Sequence, residues 1–232
     1  MKERPILFSA LMVRAILEGR KTQTRRIVKP QPIGGETIWF REDAEWPSFV
    51  VGTQRDNGGL RISASRPIEC PHGKPGDRLW VREAHGIFSV DGSYVSVGYK
   101  ARLPEGKTLA DTDGGLDVIP VYDREQVYWA ERHIDPDKWR PSIFMPRWAS
   151  RITLELTGVR VERLNEITEE DAEAEGATPW EFDPDQPLTT GERAGDSPHR
   201  SGFAYLWDCI NEDRATWKSN PWVWVEGFRL VN

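Results

Sequence analysis

The segment Gly19-Arg20-Lys21-Thr22-Gln23-Thr24-Arg25-Arg26 packs cationic and hydroxyl side chains into one octapeptide. A lysine just after a helix-ending glycine lies near carbonyl ends, where its ammonium is favoured. An arbitrary basic run of this kind is a set of solvated cap charges. This one lies between an apolar helix and an apolar strand end, so some of its side chains must rest against the core or line a cleft. Glu83 is the second candidate. Period-two alternation along residues 79–83 puts Leu79, Val81 and Glu83 on one face and Trp80 and Arg82 on the other. A carboxylate beside two aliphatics needs a cationic partner or serves as a proton acceptor, unless it marks the solvated end of the strand. Lys21 is the natural partner if the fold brings the two segments together.

Other chemistries find less support. Cys70-Pro71-His72 is a C-x-H cluster without a second pair at zinc spacing, and His85, His133 and His199 are isolated, so no metal and no cofactor are expected. Nothing local activates Cys70 as a nucleophile, and Cys209 reads as a core residue of a helix. No phosphate-loop, dinucleotide or nucleophile-elbow motif occurs. Among the eleven tryptophans, Trp207, Trp222 and Trp224 read as core. Trp80, Trp39 and Trp46 are better placed to stack on a base.

The elements that must position these residues follow from periodicity. Residues 5–8 form an opening strand, and Ser9 caps a helix over about 10–18 that Gly19 ends. Residues 22–28 are extended and β-branched. Asn57-Gly58-Gly59 is a hairpin turn between strands at 49–53 and 60–63. The loop 71–77 feeds a strand at 78–83. A stretch at about 86–140, with short strands at 94–99 and 127–130, reads as an insertion. Residues 151–156 alternate as a half-buried strand, and 159–164 continue the sheet. Thr168 caps an acidic helix ending at Gly176, 177–200 is a surface loop, and Ser201 caps a helix with Phe203, Leu206, Trp207 and Ile210 on one face. A strand at 222–226 continues past a bulge at Gly227 into 228–231. Short strands with about three helices between them describe a β-rich α+β fold, a partly open β-barrel with helices outside it, in one domain spanning 1–232.

The bulk numbers agree with a turn-rich chain. Pro and Gly number 17 and 20 in 232 residues, and the apolar fraction is only 38%. Net charge is −6, which argues against non-specific coating of nucleic acid. Residues 1–30 nevertheless carry +6, which leaves −12 on the rest, and positive charge gathered on an acidic body suits a local anion site. With two cysteines, no leader-like segment and no long apolar run, the chain is expected to be cytoplasmic, with no membrane partner.

Residues 6–27, followed by Gly76-Asp77-Arg78-Leu79-Trp80-Val81-Arg82-Glu83, resemble the ASCH domain, a relative of the PUA-like RNA-binding barrels. The basic segment fits the family's G-x-K-x-x-E-x-R signature at Gly19, Lys21 and Arg26, with Thr24 where Glu often stands. Residues 151–164, Ile167-Thr168-Glu169-Glu170-Asp171-Ala172 and residues 220–228 look like the larger phage and prophage members, whereas 86–140 match no motif. The resemblance implies a barrel with a cleft beside the signature and a partner that is a modified nucleoside or single-stranded RNA. Some bacterial members are amidohydrolases that deacetylate N4-acetylcytidine with a Lys, Thr and Glu set, and Lys21, Thr24 and Glu83 match it. Lys21 would then be the general base, Glu83 would serve the leaving amine, and Arg26 would neutralise an oxyanion or phosphate, with Gly19, Arg25, Trp80 and Arg82 contributing to substrate binding. The alternatives are a non-catalytic RNA- or nucleotide-binding module, a single-strand ribonuclease, and a phage accessory protein that binds a host protein.

Overall fold

The Pro5-Ile6-Leu7-Phe8 run does open the chain as an extended segment: β1 spans Glu3–Leu7, with Ile6 and Phe8 buried. The computed structural model describes residues 1–32, 36–40, 49–54, 60–64, 68–102, 116–135, 138–180, 197–211 and 213–231; between 36 and 64 it describes backbone only. Ser9 caps α1 (Ala10–Leu17) by accepting a hydrogen bond from the Met12 amide at 3.3 Å. Ser9→Ala is expected to cost about 1 kcal/mol, read as a fall in Tm of about 2–4 °C. Gly19, at φ +74°, ends the helix in the left-handed conformation that a side chain would strain.

β2 (Gln23–Ile27), β3 (Glu36–Phe40), β4 (Phe49–Gln54), β5 (Leu60–Ala64) and β6 (Arg78–Arg82) follow, then β7 (His85–Asp91), β8 (Tyr94–Tyr99) and β9 (Asp117–Pro120). After α2 (Arg124–Glu131) come β10 (Thr153–Arg163), α3 (Glu169–Ala174), α4 (Pro198–Asn211) and β11 (Trp222–Val231). The fold is therefore α+β.

The central sheet runs β1-β6-β10-β11-β2, with β1 parallel to β6 and the other pairs antiparallel. It is open, with β1 and β2 at its edges. A flat five-stranded sheet would hold those edges about 19 Å apart. Yet the Arg26 guanidinium donates to the Leu7 carbonyl at 2.8 Å and lies 5.4 Å from the Phe8 ring, so the sheet curls strongly and its edges approach. Its concave core gathers Ile6, Val13, Ile16, Leu79, Leu154 and Phe228. A second cluster packs Val223 and Val225 of β11 beneath α3 and α4 through Ala172, Phe203, Trp207 and Trp217.

β7, β8 and β9 build a separate three-stranded sheet, and the core packed on it is Ile87, Val95, Val97, Tyr99, Ala130 and Met145. β3-β4-β5 form a third sheet, in which the expected pairing of β4 with β5 occurs; the turn at 57–59 lies outside the described residues.

Four expectations are corrected. Residues 127–130 belong to α2 rather than a strand, because Asp123 accepts from the Glu125 amide and starts a helix there. α4 begins at Pro198, where proline's missing N–H costs nothing, and Ser201 is buried inside it. The two strands expected at 151–156 and 159–164 are one strand, β10, and the register shift falls between Leu156 and Gly158 on β10 instead of at Gly227. Cys209 is exposed, since α4 buries the stripe of Phe203, Ala204 and Trp207 and Cys209 lies off it. Residues 181–196 of the expected surface loop, and Trp46, lie outside the described residues.

Candidate functional site

The basic segment is drawn into a cleft where edge strand β2 meets α1 and α4. Antiparallel pairing to β11 sets Thr24 opposite Glu226 and Arg25 opposite Val225. Arg25 therefore shares a face with Val225, under α3 and α4, where its guanidinium lies 5.9 Å from the Phe203 ring. Thr24, Arg25, Arg26 and Lys29 form one wall of a cleft of about 210 Å³, with Glu175, Phe203 and Trp207 across from them and Arg214 at its rim. A larger groove of about 520 Å³ shares Met12, Glu175 and Leu206 with it and continues past Arg14 and Arg20 to Trp180 and Tyr205. The rings of Trp180 and Tyr205 sit 4.8 Å apart, and Tyr205 is exposed.

Behind the cleft wall the basic charge is consumed by acids. Lys21 lies just before β2, where it bridges to Glu175 as an isolated β pair. Its ammonium donates to the Glu175 carboxylate at 2.9 Å, the Glu175 carbonyl at 2.7 Å and the Gln23 carbonyl at 2.8 Å. These three acceptors use all three of its protons. The Thr22 amide donates to Ala174, and Gly176 turns at φ +75° against the Lys21 and Ala15 side chains, which seats the end of α3 on this segment.

Arg25 pairs with Glu162, with Asp171 at 2.7 Å and with Glu175 at 3.2 Å; Arg160 joins from β10 to Asp171 and Glu162. Three cations thus meet three carboxylates, and the network is neutral as a whole. Burial opposes the charge on Arg25, but Glu175, Glu162 and Asp171 outweigh it and hold the guanidinium above its ordinary pKa. Burial wins at Lys21 and pulls its ammonium below the ordinary lysine value despite Glu175. Asp171 is held below the usual carboxylate range: burial works against its charge, and bonds from Gln23 and Arg25 prevail.

Lys21, Thr24 and Glu83 do not assemble around one pocket. Glu83, at the end of β6, is buried, and its carboxylate takes a bidentate fork from Arg151 at 2.9 and 3.1 Å. Arg151 in turn stacks 4.3 Å from the Tyr99 ring, so Glu83 serves the junction with the β7-β8-β9 sheet. Burial raises its carboxyl above the ordinary glutamate value, with Arg151 opposing. In the sheet, β10 and β11 stand between β6 and β2. The partner expected for Lys21 is thus corrected from Glu83 to Glu175, which sequence spacing could not indicate across 154 residues. Trp80 is buried under the guanidinium of Arg82 at 4.8 Å, with that of Arg147 at 5.9 Å, so its ring is covered by the chain's own cations. Neither Trp80 nor Arg82 lines the cleft. Gly19 acts on the backbone alone, while Arg25 and Arg26 do reach the cleft.

Reactive thiols are not part of the site. Burial and the neighbouring Glu226 push the Cys70 thiol up to about 12. The residues that spacing missed are Glu162, Asp171, Glu175, Phe203 and Arg214. Only the Thr168-x-x-Asp171 cap and the Glu175-Gly176 helix stop marked their neighbourhood in the chain. Among the described residues no helix is long and apolar enough to cross a membrane. Comparison of the chain with protein-family models, with curated proteins and with solved structures returned no match.

Proposed function

We propose that the cleft and its adjoining groove bind a nucleotide or a short single strand of RNA, in an ASCH-type, PUA-like module that acts by binding. The observation that carries this reading is the sequence of surfaces along the groove. Arg26, Lys29 and Arg214 offer cationic contacts at one end, and the exposed Tyr205 beside Trp180 offers a stacking face at the other. Cations that track phosphates and aromatic rings that take bases are the two components of sequence-tolerant single-strand binding. The −12 carried by residues 31–232 confines such binding to this face.

Fluorescence anisotropy with a labelled short oligoribonucleotide tests the proposal. Arg26→Ala is expected to weaken binding about tenfold, and Tyr205→Ala by a similar factor, since one stacked base contributes about 1–3 kcal/mol. Affinity should fall with salt, at a log–log slope of about −0.7 per phosphate contacted. Binding that ignores both substitutions would place the ligand elsewhere.

One observation favours a second reading, hydrolysis of an N-acylated pyrimidine such as N4-acetylcytidine. Thr24 and Glu175 both line the cleft, and Lys21 beside them is held below its ordinary pKa. Glu175 would then fill the carboxylate role that the family resemblance lends to Glu83. Product formation abolished by Thr24→Val and untouched by Glu83→Gln would establish that version, and no product from the intact chain would leave binding alone.

A further inference from the structure

On β11, next to the edge strand β2 and directly across from Thr24, Glu226 turns a fully buried carboxylate toward the loop that feeds β6. Cys70 and His72 meet it there. The Cys70 sulfur lies 3.4 Å from one carboxylate oxygen, and the His72 Nδ1 lies 2.8 and 2.9 Å from the two. All three potential ligand atoms fall within 4.8 Å of one another. We propose that Cys70, His72 and Glu226 form a zinc site with three protein ligands and one position left for water or an external ligand.

The donor set selects the class of ion. Thiolate and imidazole favour a borderline-soft transition metal over magnesium or calcium, which want oxygen cages. Tetrahedral zinc, with bonds of about 2.0–2.3 Å, needs donor atoms about 3.3–3.6 Å apart. The sulfur–oxygen separation of 3.4 Å meets that already. The imidazole must withdraw by about half an ångström, which His72, partly exposed on its loop, can do. Binding sends the thiol proton to solvent and replaces a buried carboxylate, hydrogen-bonded among the described residues by a thiol and an imidazole, with a charge-balanced cluster.

The loop is held in place independently of any ion. Asp77 accepts from the Lys2 amide at 2.7 Å and the Lys74 amide at 3.3 Å and pairs with Arg4 at 3.1 Å. Gly73 sits at φ +108°, where a Cβ would come within 2.5 Å of both Arg4 and Asp77. The Gly73 amide donates back to the Cys70 carbonyl at 3.1 Å. Two ligands on a braced loop and a third on an interior strand hold the donors close before the ion arrives, with the His72 ring left to adjust. Because Glu226 is the cross-strand partner of Thr24, the ion would also stiffen the strand that carries the cleft wall.

The test uses the full chain, stripped with chelator and titrated with zinc alone or with cobalt as a spectroscopic stand-in. One zinc per chain is expected, and cobalt should give a thiolate charge-transfer band with intense tetrahedral ligand-field bands. Cys70→Ser should remove the charge-transfer band. His72→Ala, first shown to be folded by circular dichroism because it removes a partner of the buried Glu226, should weaken zinc by more than the ~10–100-fold typical of an outer partner. Zinc should raise the Tm of the intact chain and not that of His72→Ala. Absence of stoichiometric zinc, a cobalt spectrum without the thiolate band, or affinity unchanged in both variants would overturn the site and leave a His72–Glu226 hydrogen bond.

Discussion

Replacing Glu175 with alanine is expected to lower the unfolding free energy by about 3–5 kcal/mol, a fall in Tm on the order of 10 °C. Among the described residues Glu175 is the one carboxylate that contacts both Lys21 and Arg25, and the side chains of all three are at most 4% exposed. Its loss strands the Lys21 ammonium with two backbone carbonyls as its only acceptors. Arg25 keeps Glu162 and Asp171, so most of the cost falls on Lys21. A buried ion pair contributes little relative to an apolar pair of the same volume, whereas breaking one side of it is expensive. The double variant Lys21→Met with Glu175→Leu should therefore recover much of the loss. Thermal and urea unfolding of the single and double variants measure this, and a single-variant loss below about 1 kcal/mol would show that water reaches the pair.

Acid should destabilise the protein well above the range where its carboxylates protonate, and His85 should be the cause. Its side chain is wholly buried at the start of β7, where the backbone exchanges both hydrogen bonds with Arg140. Nδ1 donates to the Glu83 carbonyl at 3.3 Å, and Nε2 has no hydrogen-bond partner among the described residues. Burial, more than any neighbouring charge, depresses the imidazole from 6.5 to about 4. The folded state therefore refuses a proton that the unfolded chain accepts. The stability present above pH 6.5 drains away as pH falls toward about 4, by about 3 kcal/mol in all.

Glu83 works in the opposite direction, because its raised pKa lets the folded state take up a proton first and gain stability as pH falls through that value. Asp171 and Glu169 have lowered pKa values, so their stabilisation is lost only beneath the ordinary carboxyl range. His85→Gln, which keeps a donor for the Glu83 carbonyl, isolates the imidazole. Unfolding free energies at pH 7 and pH 4.5 should differ far less in the variant than in the parent chain, and an equal drop in both would sink the assignment.

The local elements were legible because each rests on neighbours in the chain. Ser9, Gly19 and the apolar positions between them determine α1, and Thr168 with Gly176 bounds α3 in the same way. Alternation along β6 put Leu79, Val81 and Glu83 on one face, and all three are buried together. α2 was misread because Val127 and its neighbours carry no strong period, so the cap at Asp123 decided the outcome.

By itself the sequence determined that positive charge gathers in the basic segment at 19–26, that this segment joins a helix end to a strand, and that the Glu83 carboxylate shares a strand face with Leu79 and Val81; its burial came from the structure. Only the tertiary structure decided which charges meet. Curling of the five-stranded sheet and the docking of α3 gave Lys21 to Glu175, while the β7-β8-β9 sheet gave Glu83 to Arg151. The same long-range pairing set Glu226 beside Cys70 and His72. Periodicity reports which face of an element is buried, because burial is averaged over that element's own repeat. It carries no record of which distant element supplies the partner, since that depends on register and closure of the sheet as a whole.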